Sequence, residues 1–364
     1  MTSKPPREIK AAYYVPKIPD VFSTDRFQHA LSLIEYFEEA HLISNNSIPS
    51  PLAEEATSTM VLAESSFFAL GRAASAEARR QVNDGVFLTS PHFEAVLSGS
   101  ITAMTRKSSP IWVADVYETP AQYRLNEPLS TYQITARGLA GMMKLAPHGI
   151  HSVHPDTPYQ YGCECTFVNN GSPVSRVTPD YHRSNTPHIV WVGSPRLDRG
   201  GALLFDALPQ IDSSVKIDIY GQEHKGVQDK LDGLPPKHEV THHGWTSHDV
   251  CLQATAESDI AFGVLPPRTD WVYAPPIKVG EALAGGTIPL ISDFPGNRQL
   301  AADAGEYVKP DGAEIAQKID WLASLSDSEF QAKCKKARAR GEAVSWSKIR
   351  KEFAQKVARS RSPS

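Results

Sequence analysis

Apolar and polar positions fall into two recurring patterns along the first half of the chain. Residues 25–42, DRFQHALSLIEYFEEAHL, and 66–83, SFFALGRAASAEARRQVN, place apolar side chains at helical spacing. Short apolar runs separate and follow them: STMVLAES (58–65), GVFLTS (85–90) and PIWVADVYE (110–118), the last ending in acids. A helix is expected around 92–106 and another over 133–147, ahead of GIHSVH and CTFVNNG. Strands alternating with helices predict a parallel sheet covered on both faces.

Residues 170–187, NGSPVSRVTPDYHRSNTP, are polar, rich in proline and without period, which predicts a linker. The alternation then restarts with HIVWVGS (188–194), GALLFDALPQI (201–211), VKIDIYG (215–221), HEVTHHGW (238–245), HDVCLQATAES (248–258), DIAFGVL (259–265), PIKVGEALAGG (276–286) and TIPLISD (287–293). This is a second doubly wound sheet, and ligands of such sheets bind beyond the carboxyl ends of the strands. The expected division is 1–180, 181–340 and a basic C-terminal helix with its tail over 341–364.

A chain of 364 residues with 41% apolar content exceeds what one core usually serves, since single cores stop growing near about 250–300 residues. No run of about 18 apolar residues is present to span a bilayer, and prolines break the opening MTSKPPREIKAAYYVPKIPD. The expectation is therefore an intracellular, soluble protein. Cys163, Cys165, Cys251 and Cys334 lack the spacing of a zinc or disulfide framework and read as ordinary thiols. Net charge is −4, but residues 331–364 hold eleven Lys and Arg against two acids; that +9 leaves −13 for the rest. Such a tail suits either an anionic membrane surface or a solvated helix, and Val344, Trp346, Ile349, Phe353 and Val357 at helical spacing predict that part of it packs on the body of the protein.

Two strand-end loops of the second half carry candidate chemistry. VGSPRLDRGG combines Gly193, Gly200 and Gly201 with Arg196 and Arg199 ahead of a helix, offering backbone N–H groups and guanidinium forks to a phosphate. The plainer reading is a glycine-rich turn with surface arginines. In PPIKVGEALAGG, Pro276 suits a first helical position and Gly285-Gly286 a helix end, so Lys278 stands in the first turn. The helix dipole disfavours a cation there by about 0.3–1 kcal/mol unless an anion shares the site. Glu281 lies on the same face three residues on. Ammonium beside carboxylate suits a ligand with both a phosphate and a ribose diol; a surface i,i+3 ion pair is the alternative.

The blocks HIVWVGSPRLDRGGALLFDALP, VKIDIYG, HHGWTSHDVCLQATAESDIAFGVLP and PPIKVGEALAGGTIPLISDFPGNRQL resemble, in order and spacing, the C-terminal half of retaining GT-B glycosyltransferases of glycosyltransferase family 4. The likeness covers 188 to about 310 and extends more loosely through IWVADVYETP, FVNNG and the last helix, SWSKIRKEF. It implies two Rossmann-like domains facing a central cleft, the first binding the acceptor and the second a nucleotide-diphosphate sugar with UDP or GDP as nucleotide. It further implies transfer of a hexose to a hydroxyl of a glycan, glycolipid or other acceptor, with retention and without a metal or other cofactor. By position, Arg199 and Lys278 would hold the donor diphosphate, Glu281 the ribose, and Asp115 would face the transferred sugar and acceptor. Gly193, Ser194, Arg196, Gly221, His243, Trp245 and Tyr273 complete the donor-binding set.

Two positions depart from the family pattern. Ser194 stands where the family commonly has arginine, with Arg196 two residues on as the substitute charge. Tyr273 stands where a Glu-x7-Glu motif begins, with Asp270 nearby as a substitute. Both departures favour a rival reading, a non-catalytic nucleotide-sugar-binding or partner subunit. A nicotinamide-dependent dehydrogenase is disfavoured because no strand runs into a complete G-x-G-x-x-G, and nucleic-acid binding because the tail lacks interleaved aromatics. A cytoplasmic enzyme visiting the membrane face fits the tail; a soluble acceptor fits nearly as well.

Overall fold

The computed structural model describes residues 8–105, 110–116, 138, 141–146, 148–151, 163–222, 224 and 226–360, without the side chains of 151, 269 and 270. They form two compact units, Met1–Asn169 with Ser347–Ser364, and Asn170–Trp346.

The first unit is built on β1 (Lys10–Tyr14), β2 (Glu39–Ser44), β3 (Ser58–Val61), β4 (Val86–Thr89), β5 (Ile111–Val116), β6 (His148–His151) and β7 (Cys165–Phe167). All pair in parallel in the order β3-β2-β1-β4-β5-β6-β7. Two of these strands escape the sequence pattern. Residues 25–42 read as one helix, but the helix Asp25–Tyr36 stops where Phe37 turns extended and its N–H returns to Leu33 O, and Glu39–Ser44 enters the sheet. A strand covered on both faces has no polar alternation, so its apolar positions can prolong a neighbouring helical period by chance. Lys10–Tyr14 is too short a run, against Pro16, to stand out. The helix expected at 133–147 falls mostly on residues outside the described ones.

The C-terminal helix Trp346–Arg359 lays its apolar stripe on this first unit. Ile349, Phe353 and Val357 are buried, and the Phe353 ring stacks on His29 with centroids 3.9 Å apart. Arg350 donates to Glu35 and Gln28, both at 2.7 Å, while Ser32 donates to the Arg350 carbonyl at 2.7 Å. Lys356 donates to the Phe167 carbonyl. Much of the tail's positive charge is thus engaged within the protein.

The second unit pairs β8 (His188–Val192), β9 (Lys216–Tyr220), β10 (Glu239–Gly244), β11 (Ile260–Gly263), β12 (Ile288–Ser292) and β13 (Glu306–Val308), all parallel, in the order β10-β9-β8-β11-β12-β13. The chain winds outward from β8 to β10, then crosses to β11 and winds the other way. That reversal between β8 and β11 is a topological switch point, the place where such sheets bind ligands. Beneath it Trp191 of β8 and Phe262 of β11 stack at 5.3 Å within the main core. The polar stretch 170–187, expected as a linker, belongs to this unit. Ser172 Oγ donates to the Gly280 carbonyl at 2.7 Å, and Gly280 lies so near the Gly171 carbonyl that a Cβ there would come within 2.5 Å. Arg338 and Arg340 of the Asp327–Ala343 helix bind carbonyls of Ala284, Leu300 and Gln299.

Because Phe353 is fully buried against His29, Phe353→Ala is expected to cost the first unit about 3–5 kcal/mol, read as a shift of its denaturant unfolding transition. A loss under about 1 kcal/mol would show that the helix rests there without holding the fold.

Candidate functional site

The ends of β8, β9 and β10 are laced together by their glycines. Gly193 N–H donates to the Tyr220 carbonyl and Gly221 N–H to the Gly244 carbonyl, each at 2.8 Å. Gly193 has φ +111°, a left-handed conformation that side chains with a Cβ rarely adopt, and the space beside its Cα is open. Gly200, at φ +97°, has the Val264 carbonyl in the place a Cβ would take, so the loops after β8 and β11 touch backbone to backbone. After Gly193 the chain passes through a single 3-10 turn, Leu197–Arg199, and enters the helix Gly201–Ala207.

The helix Ile277–Gly285 begins one residue later than the sequence suggests. Pro276 is its N-cap, with φ −68° and ψ 146°, and Gly286 ends it in the left-handed conformation at φ 72°. Lys278 therefore occupies the first turn, with its ammonium over the Trp191 ring, 5.0 Å from the centroid. Burial disfavours its charge and drives its pKa down to about 8; the Glu281 carboxylate opposes that shift and the Arg199 guanidinium reinforces it. The two cations thus repel one another at one strand-end crevice, an arrangement that an anion between them would relieve.

Glu281 is 4% exposed and accepts from His248 Nε2 through Oε1 at 2.6 Å. Burial works against an imidazolium at His248, but the hydrogen bond and charge of Glu281 outweigh it and raise the histidine pKa. The surface Lys278–Glu281 ion pair, the alternative reading of this stretch, does not form among the described residues: the carboxylate is oriented by His248, leaving Oε2 for another donor. His248 opens the helix His248–Ala256, where Ser247 is the N-cap. It is a residue that sequence reasoning missed, although the Ser-His-Asp start of that helix is a visible capping signal.

Other expected donor-binding residues are differently placed. Arg196 holds Asp198 through Nε and Nη2, both at 2.8 Å, so its fork is already occupied. Ser194 Oγ donates to the Gln222 carbonyl at 3.3 Å. His243 Nε2 binds Asp218 at 2.7 Å, its ring stacked on Tyr220 with centroids 4.4 Å apart, and the other Asp218 oxygen binds His188 at 2.6 Å. His243 is thereby a cross-strand tie, with Asp218 and His188 as members the sequence did not single out. Trp245, just beyond β10, is 84% exposed. Tyr273 ends the short helix Thr269–Val272, and its backbone lies against Gly296 closely enough to exclude a Cβ there. The Asp270 side chain lies outside the described residues.

In the first unit Asp115, next to last in β5, lies in the interior rather than at a surface. It is 1% exposed, and Oδ2 accepts from the Tyr13 hydroxyl and from His29 Nδ1, the latter at 2.9 Å. Oδ1 has no partner among the described residues. Burial opposes the His29 imidazolium, yet the charge and hydrogen bond of Asp115 prevail and raise the His29 pKa above 6.5. Among the described residues no cluster of three His, Cys, Asp or Glu side chains is arranged to hold a metal ion, and no helix is long and apolar enough to cross a membrane.

A raised histidine pKa stabilises the fold below the unfolded value and loses that contribution as pH rises through the folded one. Unfolding midpoints of the first unit should therefore fall as pH rises from about 6.5, and His29→Gln should flatten this dependence. An unchanged pH profile in the variant would contradict the ion pair.

Residues 186–324 match the model of a family described as Glycosyl transferases group 1. A search of curated proteins returns no match. Solved structures similar to the chain include a glycosyltransferase from Rickettsia africae, at 14% identity and TM-score 0.71, covering 97% of this chain and 98% of the other. HepE from Anabaena in complex with UDP is similar at 16% identity and TM-score 0.72, covering 96% and 99%. An E. coli trehalose-6-phosphate protein bound with UDP-2-fluoro glucose is similar at 10% identity and TM-score 0.70, again covering 96% and 99%. The two all-parallel sheets match the GT-B fold of these neighbours. The chain thus has the GT-B fold, and its residues 186–324 match the Glycosyl transferases group 1 model.

Proposed function

We propose that the protein is a glycosyltransferase that takes a hexose from a nucleotide-diphosphate sugar, with UDP or GDP as nucleotide, and passes it to an acceptor hydroxyl with retention at the anomeric carbon, as in glycosyltransferase family 4. The observation that carries this reading is the pairing of Lys278 and Arg199 beside a helix start at the β8/β11 switch point, with Glu281 one turn further on. The family match over the same residues, and the UDP-sugar complexes of similar folds, support a donor there.

In this reading the diphosphate lies between the Gly193–Arg199 loop and the first turn of the Ile277–Gly285 helix. As the bond from sugar to diphosphate breaks, charge grows on the leaving oxygens, and the Lys278 ammonium, the Arg199 guanidinium and free backbone N–H groups stabilise it. Such fixed charge is usually the largest catalytic contribution, and here it serves without a metal. Glu281, held by His248, takes the ribose hydroxyls, and exposed Trp245 offers the base a stacking face. Asp115 serves as an internal anchor for His29 and Tyr13 rather than as a contact to the sugar. The acceptor is a glycan, a glycolipid or a soluble hydroxyl compound, met in the cytoplasm or at the inner membrane face.

Tyr273 in place of the family's first glutamate, with Ser194 bonded to a carbonyl, favours a second reading: a partner subunit that binds the donor without turning it over. Calorimetry with UDP- and GDP-sugars, followed by a hydrolysis assay on those that bind, separates the two readings. Under the first, Lys278→Ala and Arg199→Ala each lower kcat on the order of 10²-fold, and wild-type turnover in both variants would refute it. Binding of the diphosphate needs protonated Lys278, so donor affinity should weaken as pH rises past about 8, and Lys278→Ala should abolish that dependence.

A further inference from the structure

We propose that Cys163 and Cys165 form a reversible redox site, closing to a disulfide by exchange with a small-molecule disulfide of the glutathione class. The sequence alone gives a C-x-C too tight for a zinc pair. In the fold the two sulfurs lie 3.7 Å apart, so both side chains of the edge strand's start point to one place. Cys165 opens β7 and Cys163 lies in the bend just before it, which brings the two side chains together.

That place is prepared by the neighbouring strand. Gly149 of β6 stands opposite Cys165, and a Cβ on it would come within 2.5 Å of the Cys165 sulfur and 3.0 Å of the Cys163 sulfur. Both sulfurs therefore occupy volume that any other residue at 149 would fill. Cys163 and Cys165 are partly exposed, whereas Cys251 and Cys334 are buried. The pair is also polarised: the hydrogen bond from Cys165 lowers the Cys163 pKa, while that bond and burial hold the proton on Cys165. Cys163 is thereby the attacking sulfur and Cys165 the resolving one, since the thiolate is the nucleophile in such exchange.

The exchange balances in two steps. The Cys163 thiolate attacks one sulfur of the small disulfide, forming a mixed disulfide and releasing one small thiol, which carries off the Cys163 proton. Cys165 then gives up its proton and attacks the Cys163 sulfur, expelling a second small thiol. Two cysteine thiols are oxidised, one small disulfide is reduced to two thiols, and no other reactant is needed. A ring spanning one intervening residue gains little from loop closure, which suits a bond that small thiols reopen. The site lies beside the strand that carries Asp115: Gly149 pairs in register with Ala114, the residue before it.

The test is to equilibrate the whole chain in mixtures of oxidised and reduced glutathione, quench with an alkylating agent in denaturant so that buried thiols also react, and map the peptides. The expected result is a Cys163–Cys165 disulfide that grows with the oxidised fraction and disappears on reduction, with Cys251 and Cys334 alkylated throughout. Cys165→Ser should accumulate glutathione on Cys163, and Cys163→Ser should take up far less on Cys165. Both cysteines remaining alkylated across the whole range, or equal uptake by the two variants, would overturn the proposal.

Discussion

An ammonium group held over an indole face, at the end of a helix that repels its charge, is the constraint around which the second unit is arranged. Lys278 can occupy that position only because β8 and β11 stack Trp191 and Phe262 beneath it and because Glu281 supplies opposing charge one turn away. The parallel sheet makes this arrangement available. It puts every strand-to-helix loop at one end, and the winding reverses between β8 and β11, the position at which such sheets bind ligands. Backbone contact at Gly200 and the glycine ties from β8 to β10 then fix the edges of the crevice. Lys278 and Arg199 thereby place two positive charges near one another at the carboxyl end of this sheet, the arrangement on which the proposed diphosphate site rests.

The first unit solves a different problem with similar means. Asp115, a deeply buried carboxylate near the end of β5, is held by Tyr13 from β1 and by His29 from the helix that follows β1, and His29 is capped in turn by Phe353. Replacing a buried polar network piece by piece strands its remaining members, so such groups act as a unit. The C-terminal helix is part of that unit. Its Arg350 binds Glu35 and Gln28 and its Lys356 the Phe167 carbonyl, so part of the positive tail seen in the sequence serves as a structural strap.

Legibility followed burial. Over residues 188–293 the second unit could be read nearly element by element, because most of its strands there are short apolar runs bounded by glycine, proline and polar turns; the helix Val227–Asp232, β13 and the helices after it were not singled out. In the first unit β1 and β2 were lost, one for brevity and one because a doubly covered strand continued the period of the helix before it. For the site, residue type and position were enough to single out Lys278, Arg199 and Glu281, whose chemistry is unusual for a helix start. His248, Asp218, His29 and Tyr13 were not found, since a partner brought in from another strand leaves no local pattern. Arg196 and His243 were legible as residues but not as roles: Asp198 and Asp218 already engage them, and no spacing rule reveals that.

The central claim is the location of the donor, and the most direct measurement is a crystal structure of the chain grown with UDP or GDP. The account predicts the diphosphate between the Gly193–Arg199 loop and the first turn of the Ile277–Gly285 helix, within hydrogen-bond reach of Lys278 and Arg199, with the ribose on Glu281. Nucleotide bound elsewhere, or bound there with Lys278 still turned onto Trp191 and away from the phosphates, would contradict it.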